Sequence, residues 1–211
     1  MNLSERCRPK TWGEVVGQEH ILATLERFRQ TGGLTGRAYW LSGPSGSGKT
    51  TIARLIAAEV AEPILIDEID GTSVSAAWLD GVDRMMRNRP LFGRAYAFLV
   101  NEAHRIRQDM VTRLLVMLDP VPEIAVWVFT TTTEAQTELW DRKLDAAPFL
   151  SRCHRFTLER VPAVFAKAAQ RIAQREHLDG KPYQSYLNLA YKYDCNLRAM
   201  LDAVEQGAMK G

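Results

Sequence analysis

The densest chemistry in the sequence lies in the run Gly43-Pro44-Ser45-Gly46-Ser47-Gly48-Lys49-Thr50, a full match to G-x-x-x-x-G-K-[ST]. Glycine at 43, 46 and 48 lets successive backbone N–H groups curl round an anion with no side chain in the way. Lys49 can reach the outer phosphates of a nucleoside triphosphate, and the Thr50 hydroxyl can ligate magnesium. With Thr51 beside it, the stretch from Gly43 to Thr51 is the candidate ATP-binding set.

Hydrolysis needs more than a cradle. Acidic groups at the tip of a neighbouring strand must hold the metal's water shell and polarise the attacking water. The apolar run Ala95 to Val100 ends in Asn101-Glu102-Ala103-His104, which puts Glu102 where it can orient or deprotonate a water. Asn101 stands where a metal-facing aspartate is expected. Its amide oxygen can accept from magnesium-bound water, yet it brings one negative charge fewer, so turnover is expected to be slow and an acid at this position to quicken it. His104 has no Cys or His partner at ligand spacing and is read as a solvated or hydrogen-bonding side chain.

These groups have to be carried on strand ends and helix starts, and the sequence periodicity provides both. Apolar runs at Ala38–Ser42, Pro63–Ile66, Ala95–Val100 and Ile124–Phe129 read as strands, with His154–Leu158 as the last. Between them, Ile52, Leu55, Ile56 and Val60 recur at helical spacing, Val82–Arg89 belongs to a helix closed by Pro90, and Val111, Leu114, Leu115 and Leu118 share a face stopped by Asp119-Pro120. Strands alternating with helices predict an α/β fold, a three-layer sheet that is mostly parallel, with the ligand outside the carboxyl ends of its strands. After Leu158 only helical patterns follow. The expected division is a phosphate-loop core over residues 1–158 and a small all-helical domain over 159–211.

The chain has 211 residues, 46% apolar and 25% charged, an ordinary globular mixture that excludes disordered and fibrous classes. A net charge of +2 is too small for the whole surface to be drawn to nucleic acid or acidic lipid. Cys7, Cys153 and Cys195 form no C-x-x-C pair and read as reduced thiols. The charged N-terminal stretch and the lack of any apolar run near 20 residues predict a soluble cytoplasmic protein with no membrane partner.

Taken with the segments Arg8-Pro9-Lys10-Thr11-Trp12, Val15-Val16-Gly17-Gln18-Glu19-His20, Leu150-Ser151-Arg152-Cys153 and Asn196-Leu197-Arg198, the sequence resembles the clamp-loader ATPases of the AAA+ superfamily, in particular the motor subunits of bacterial DNA polymerase III. The resemblance implies an AAA+ core followed by a helical lid. It places Arg8, Pro9 and Val16 in a motif for the nucleotide base. Thr133, or adjacent Thr132, becomes the sensor of the γ phosphate, and Arg198 the lid arginine that comes down on the nucleotide. Arg152 becomes an arginine finger acting in trans on a neighbouring subunit's site. It implies ATP and magnesium as cofactors, and partners comprising other clamp-loader subunits in a hetero- or homo-oligomer, a sliding clamp and primed DNA. Three departures stand beside it: Asn101, a long stretch between Thr133 and Ser151, and no sign of the family's collar domain or cysteine-bound zinc module.

Residues 84 to 113 hold seven arginines against Glu102 and Asp109. The region of Arg84, Arg87, Arg105 and Arg107 is therefore the candidate surface for a DNA backbone, which would give affinity and salt dependence without reading sequence. The expected function is ATP-driven loading of a sliding clamp on primed DNA in replication. Two rivals are another AAA+ DNA motor, such as a branch-migration helicase, and a non-catalytic scaffold in which Asn101 leaves ATP as a structural ligand. The safest consequence concerns Lys49. Lys49→Ala should fold normally yet bind ATP about 30-fold more weakly or worse in a calorimetric titration, because truncating one member of a buried charge pair costs ~2 kcal/mol or more.

Overall fold

The structure is a computed structural model that describes residues 1–132 and 146–210. Among them, five strands form one parallel sheet: β1 (Arg37–Ser42), β2 (Ile66–Asp70), β3 (Tyr96–Asn101), β4 (Ala125–Thr131) and β5 (His154–Thr157), in the spatial order β2-β3-β4-β1-β5. The interior strands β3, β4 and β1 carry the near-continuous apolar runs because helices cover both their faces. The edge strands have no such need.

This accounts for one correction. The stretch Pro63–Ile66, read as a strand, is a short 3-10 turn over Pro63–Leu65, and the strand is the following IDEID. β2 lies at the sheet edge and is only half-buried, so Asp67, Glu68 and Asp70 are tolerated among its two isoleucines.

Successive side chains along each strand point to opposite faces, and the core divides accordingly. Tyr39, Leu41, Leu99, Val126 and Val128 pack against α2 (Glu19–Thr31) and α3 (Lys49–Val60) through Ile21, Leu25, Ile52 and Ile56. Trp40, Phe98, Trp127 and Phe129 face the other way. They meet Leu79 and Val82 of α4 (Ala76–Met86), Met110 and Leu114 of α5 (Gln108–Met117), and Phe149 of α6 (Ala146–Ser151). Phe98 and Trp127 lie 4.8 Å apart between ring centroids and Trp127 and Phe129 5.7 Å, pairs that add about 0.5–1.5 kcal/mol each to the area they bury.

The third cluster belongs to α7 (Pro162–Arg175), α8 (Tyr183–Lys192) and α9 (Leu197–Glu205), joined through Phe165, Tyr186, Met200 and Val204. The short N-terminal helix α1 (Leu3–Arg6) packs here too: Leu3 is fully buried in this cluster, and its N–H donates to Glu205 at 3.0 Å. Cys7 packs against the same cluster, and Arg6 lies 3.6 Å from Glu176 and 3.9 Å from Glu205. No helix among the described residues is long and apolar enough to cross a membrane. The three thiols are free, and burial pushes that of Cys153 up to about 12.

Register then fixes where chemistry can occur. Ser42 pairs with Thr131 across β1 and β4, and Val100 with Phe129 across β3 and β4, so the carboxyl ends of β1, β3 and β4 form one rim. The phosphate-loop run, Glu102 and Thr132 all follow those ends.

Candidate nucleotide site

The loop from Gly43 leaves β1 and enters α3 at Lys49, so the positive end of a 12-residue helix points at the loop's concavity. Lys49 is buried, 7% exposed, and its ammonium folds back to donate to the carbonyls of Gly43 at 2.8 Å and Pro44 at 2.9 Å. Gly46 has a left-handed φ of 77°, and a Cβ there would lie 2.1 Å from the Asn196 amide oxygen. Only glycine admits the lid so close to the loop.

A cavity of about 540 Å³ opens over this loop. Its walls come from three separate segments: Ser45, Gly46, Gly48, Lys49, Thr50 and Thr51 from the loop and α3, Arg8, Pro9 and Val16 from the N-terminal stretch, and Arg198 with Ile172 from the lid. Glu102 and Thr132 complete it from the strand ends. Of the predicted loop residues, Gly43, Pro44 and Ser47 shape the cradle from behind rather than line it.

Cations outnumber acids in this cavity, where Arg8, Lys49 and Arg198 stand with Glu14 and Glu102. Burial lowers the affinity of the Arg8 guanidinium for its proton, and the nearby charges of Arg54 and Arg198 lower it further. Arg8 Nη1 is also buried without a hydrogen-bond partner among the described residues. An orphaned cationic donor of this kind destabilises the empty site by about 1–3 kcal/mol, which a polyphosphate between Arg8, Lys49 and Arg198 would recover. The residues present therefore fit a nucleoside triphosphate.

Hard oxygen donors suited to magnesium stand beside it. Thr50 Oγ1 lies 3.5 Å from Asn101 Oδ1, which also accepts from Thr130 Oγ1 at 3.0 Å. Asn101 sits immediately behind Thr50 and does not itself line the cavity. Glu102 occupies a left-handed backbone conformation, φ 49° and ψ 47°, at the turn out of β3. His104 Nδ1 is 3.5 Å from the Glu102 carboxylate and 3.1 Å from Thr131 Oγ1, so it holds the acid rather than a metal. Gly71 permits this turn: a Cβ on residue 71 would meet the Glu102 carbonyl oxygen at 2.5 Å.

Two contributors escaped the sequence reading. Arg160, with its side chain 11% exposed, donates to the Asp194 carboxylate at 2.6 Å and to the Ser45 carbonyl, bridging lid and phosphate loop. Asn196 caps α9, accepting from Ala199 N–H at 3.3 Å, while its side chain rests on Gly46. An asparagine before a helical run is a legible cap. Nothing local marks Arg160.

Other expected residues fall elsewhere. Thr133 lies outside the described residues, and Thr132 is the sensor candidate that reaches the cavity. Arg152 is not at this chain's cavity. Its guanidinium donates to Asp119 at 2.9 Å and to the Pro148 carbonyl at 3.0 Å. In the arginine-rich stretch, Arg87 pairs with Asp83 at 2.8 Å, Arg105 approaches Asp70 at 3.9 Å, Arg107 pairs with Asp109, and Arg113 with Asp80. Counting residues 84 to 113 alone overlooked acids that the fold brings in from Asp70, Asp80 and Asp83, so the surface is less positive than its sequence. Arg84 remains exposed.

Residues 39–158 match the sequence model of the ATPase family associated with various cellular activities (AAA). DNA polymerase III subunit gamma/tau of Mycobacterium tuberculosis is 34% identical over 157 residues, which span 63% of this chain and 27% of that protein. DNA polymerase III subunit tau of Escherichia coli is 27% identical over 233 aligned residues, 99% of this chain and 35% of that protein. The chain thus spans about a third or less of these relatives' length. Among solved structures, the RuvB Holliday junction branch migration motor of Thermotoga maritima superposes with a TM-score of 0.70, covering 94% of this chain and 64% of that one at 20% identity, a likeness of fold.

The Arg160 bridge yields a kinetic expectation. Arg160→Ala should leave the unfolding midpoint nearly unchanged but speed release of a fluorescent ATP analogue about tenfold in stopped flow, since the lid loses its charged tie to the loop.

Proposed function

The chain belongs to the AAA family of ATPases, and on that footing we propose that it binds magnesium-ATP and couples its hydrolysis to loading a sliding clamp on primed DNA. One observation carries the nucleotide part: Arg8, Lys49, Thr50, Glu102 and Arg198, drawn from distant parts of the sequence, line a single cavity over the phosphate loop. The clamp-loading part leans on the resemblance to DNA polymerase III gamma/tau and tau subunits, which extends along nearly the whole chain.

In this reading, backbone N–H groups of the loop and the N-terminus of α3 receive the phosphates, with Lys49, Arg8 and Arg198 opposing their charge. Held at Thr50 beside Asn101, magnesium would neutralise charge on the transferring phosphoryl group. Glu102, oriented by His104, positions the attacking water. Thr132, with Thr133 beside it, senses the γ phosphate. Arg152 acts on a neighbouring subunit's nucleotide, and an arginine supplied that way accelerates hydrolysis by about 10³ to 10⁵. Its ion pair with Asp119 then has to be exchanged for the neighbour's phosphate. Partners are other clamp-loader subunits, the clamp, and a DNA backbone met by the region of Arg84, Arg87, Arg105 and Arg107.

Mixing two inactive variants tests this. Lys49→Ala keeps its finger but holds ATP too weakly to turn it over, and Arg152→Ala holds ATP but has no finger. With primed DNA present, hydrolysis should reappear on mixing, and wild-type turnover per subunit should rise with protein concentration. No recovery, together with wild-type turnover independent of concentration, would leave Arg152 as a structural partner of Asp119.

A further inference from the structure

Substituting an amide for the expected carboxylate creates a problem of orientation. A carboxylate presents oxygen on both sides, whereas an asparagine side chain presents oxygen on one and a donating NH₂ on the other. Only the oxygen is useful beside a cation. Something has to decide which way Asn101 faces.

Its surroundings do so. Asn101 Nδ2 donates to Glu68 Oε1 at 2.7 Å, and Oδ1 receives Thr130 Oγ1 at 3.0 Å and lies 3.5 Å from Thr50 Oγ1. Glu68 is an acceptor on both oxygens, so a flipped amide would set two acceptors against each other with no proton between them. Glu68 is itself clamped by Arg54, with bonds of 2.8 and 3.0 Å from Nε and Nη2. Arg54 lies four residues beyond Thr50 on α3, one helical turn along the same face. The contacts thus close a ring from Thr50 through Asn101 and Glu68 to Arg54 and back through the helix.

We propose that Glu68, braced by Arg54, is a positioning residue that holds the Asn101 amide oxygen toward Thr50 and so tunes the magnesium site. The proposal rests on Thr50 as the magnesium ligand. It also revises the simple expectation for an acid at 101. That acid would face the Glu68 carboxylate at the distance now bridged by the amide N–H, so its charge is opposed by its neighbour. Asn101→Asp becomes useful only when position 68 can donate, as in the paired exchange Asn101→Asp with Glu68→Gln.

The test reads magnesium through binding rather than turnover. A fluorescent ATP analogue is titrated onto each full-length variant in EDTA and at graded magnesium concentrations. Glu68 stands on an edge strand, so Glu68→Ala should fold, which circular dichroism checks. In EDTA, Glu68→Ala should bind within twofold of wild type. Its magnesium midpoint should rise about tenfold, the usual effect of losing a group that orients a metal ligand. Glu68→Gln offers a donor as well as an acceptor, so it no longer forbids the flipped amide, and its midpoint should fall between those of wild type and Glu68→Ala. Asn101→Asp alone should gain less in magnesium affinity than the paired exchange. An unchanged midpoint in Glu68→Ala, or an equal loss of affinity with and without magnesium, would overturn the positioning role. If wild-type binding does not respond to magnesium at all, the Thr50 assignment fails, and the positioning role with it.

Discussion

Positive charge drawn from three distant parts of the sequence to one cavity sets the physical problem that this fold solves. Arg8 comes from the N-terminal stretch, Lys49 from the start of α3 and Arg198 from the lid, and they border one cavity. Burial and mutual repulsion disfavour the charged form of Arg8, and one of its nitrogens is buried without a partner among the described residues. Packing elsewhere has to hold these groups together against that repulsion. An anion spanning them would relieve that repulsion, which is the physical basis of the proposed nucleotide site.

The rest of the architecture serves that convergence. Parallel pairing puts the ends of β1, β3 and β4 on one rim, so loop, acid and sensor candidate arrive together without any being near the others in sequence. Leu3 anchors the N-terminal stretch in the lid's apolar cluster while Trp12 and Val15 pack on the sheet side, so Arg8 sits between the two. Arg160 and Asn196 then bring the lid onto the loop. Glycine at 46 and 71 marks two places where backbone and neighbour come close, one under the lid and one under the turn that carries Glu102.

What could be read from the sequence follows from locality. The phosphate loop and the interior strands were legible because fixed spacing and burial on both faces leave unbroken local patterns. β2 was misplaced because an edge strand mixes charged with apolar residues, and PILI imitates the interior pattern while forming only a turn. Arg8, Pro9, Val16 and Arg198 came from family resemblance, and the cavity gathers all four. Glu68 and Arg160 were invisible, since each acts only through partners that the fold brings near. The same blindness overstated the arginine-rich surface, whose acids come from Asp70, Asp80 and Asp83 outside the counted window.

Hydrogen exchange with and without magnesium-ATP tests the convergence most directly. If one nucleotide binds loop, N-terminal stretch and lid together, amides in residues 43–51, 8–16 and 194–200 should all slow at the same half-saturating ATP concentration. Protection limited to residues 43–51, with the lid and N-terminal amides exchanging as before, would contradict the account.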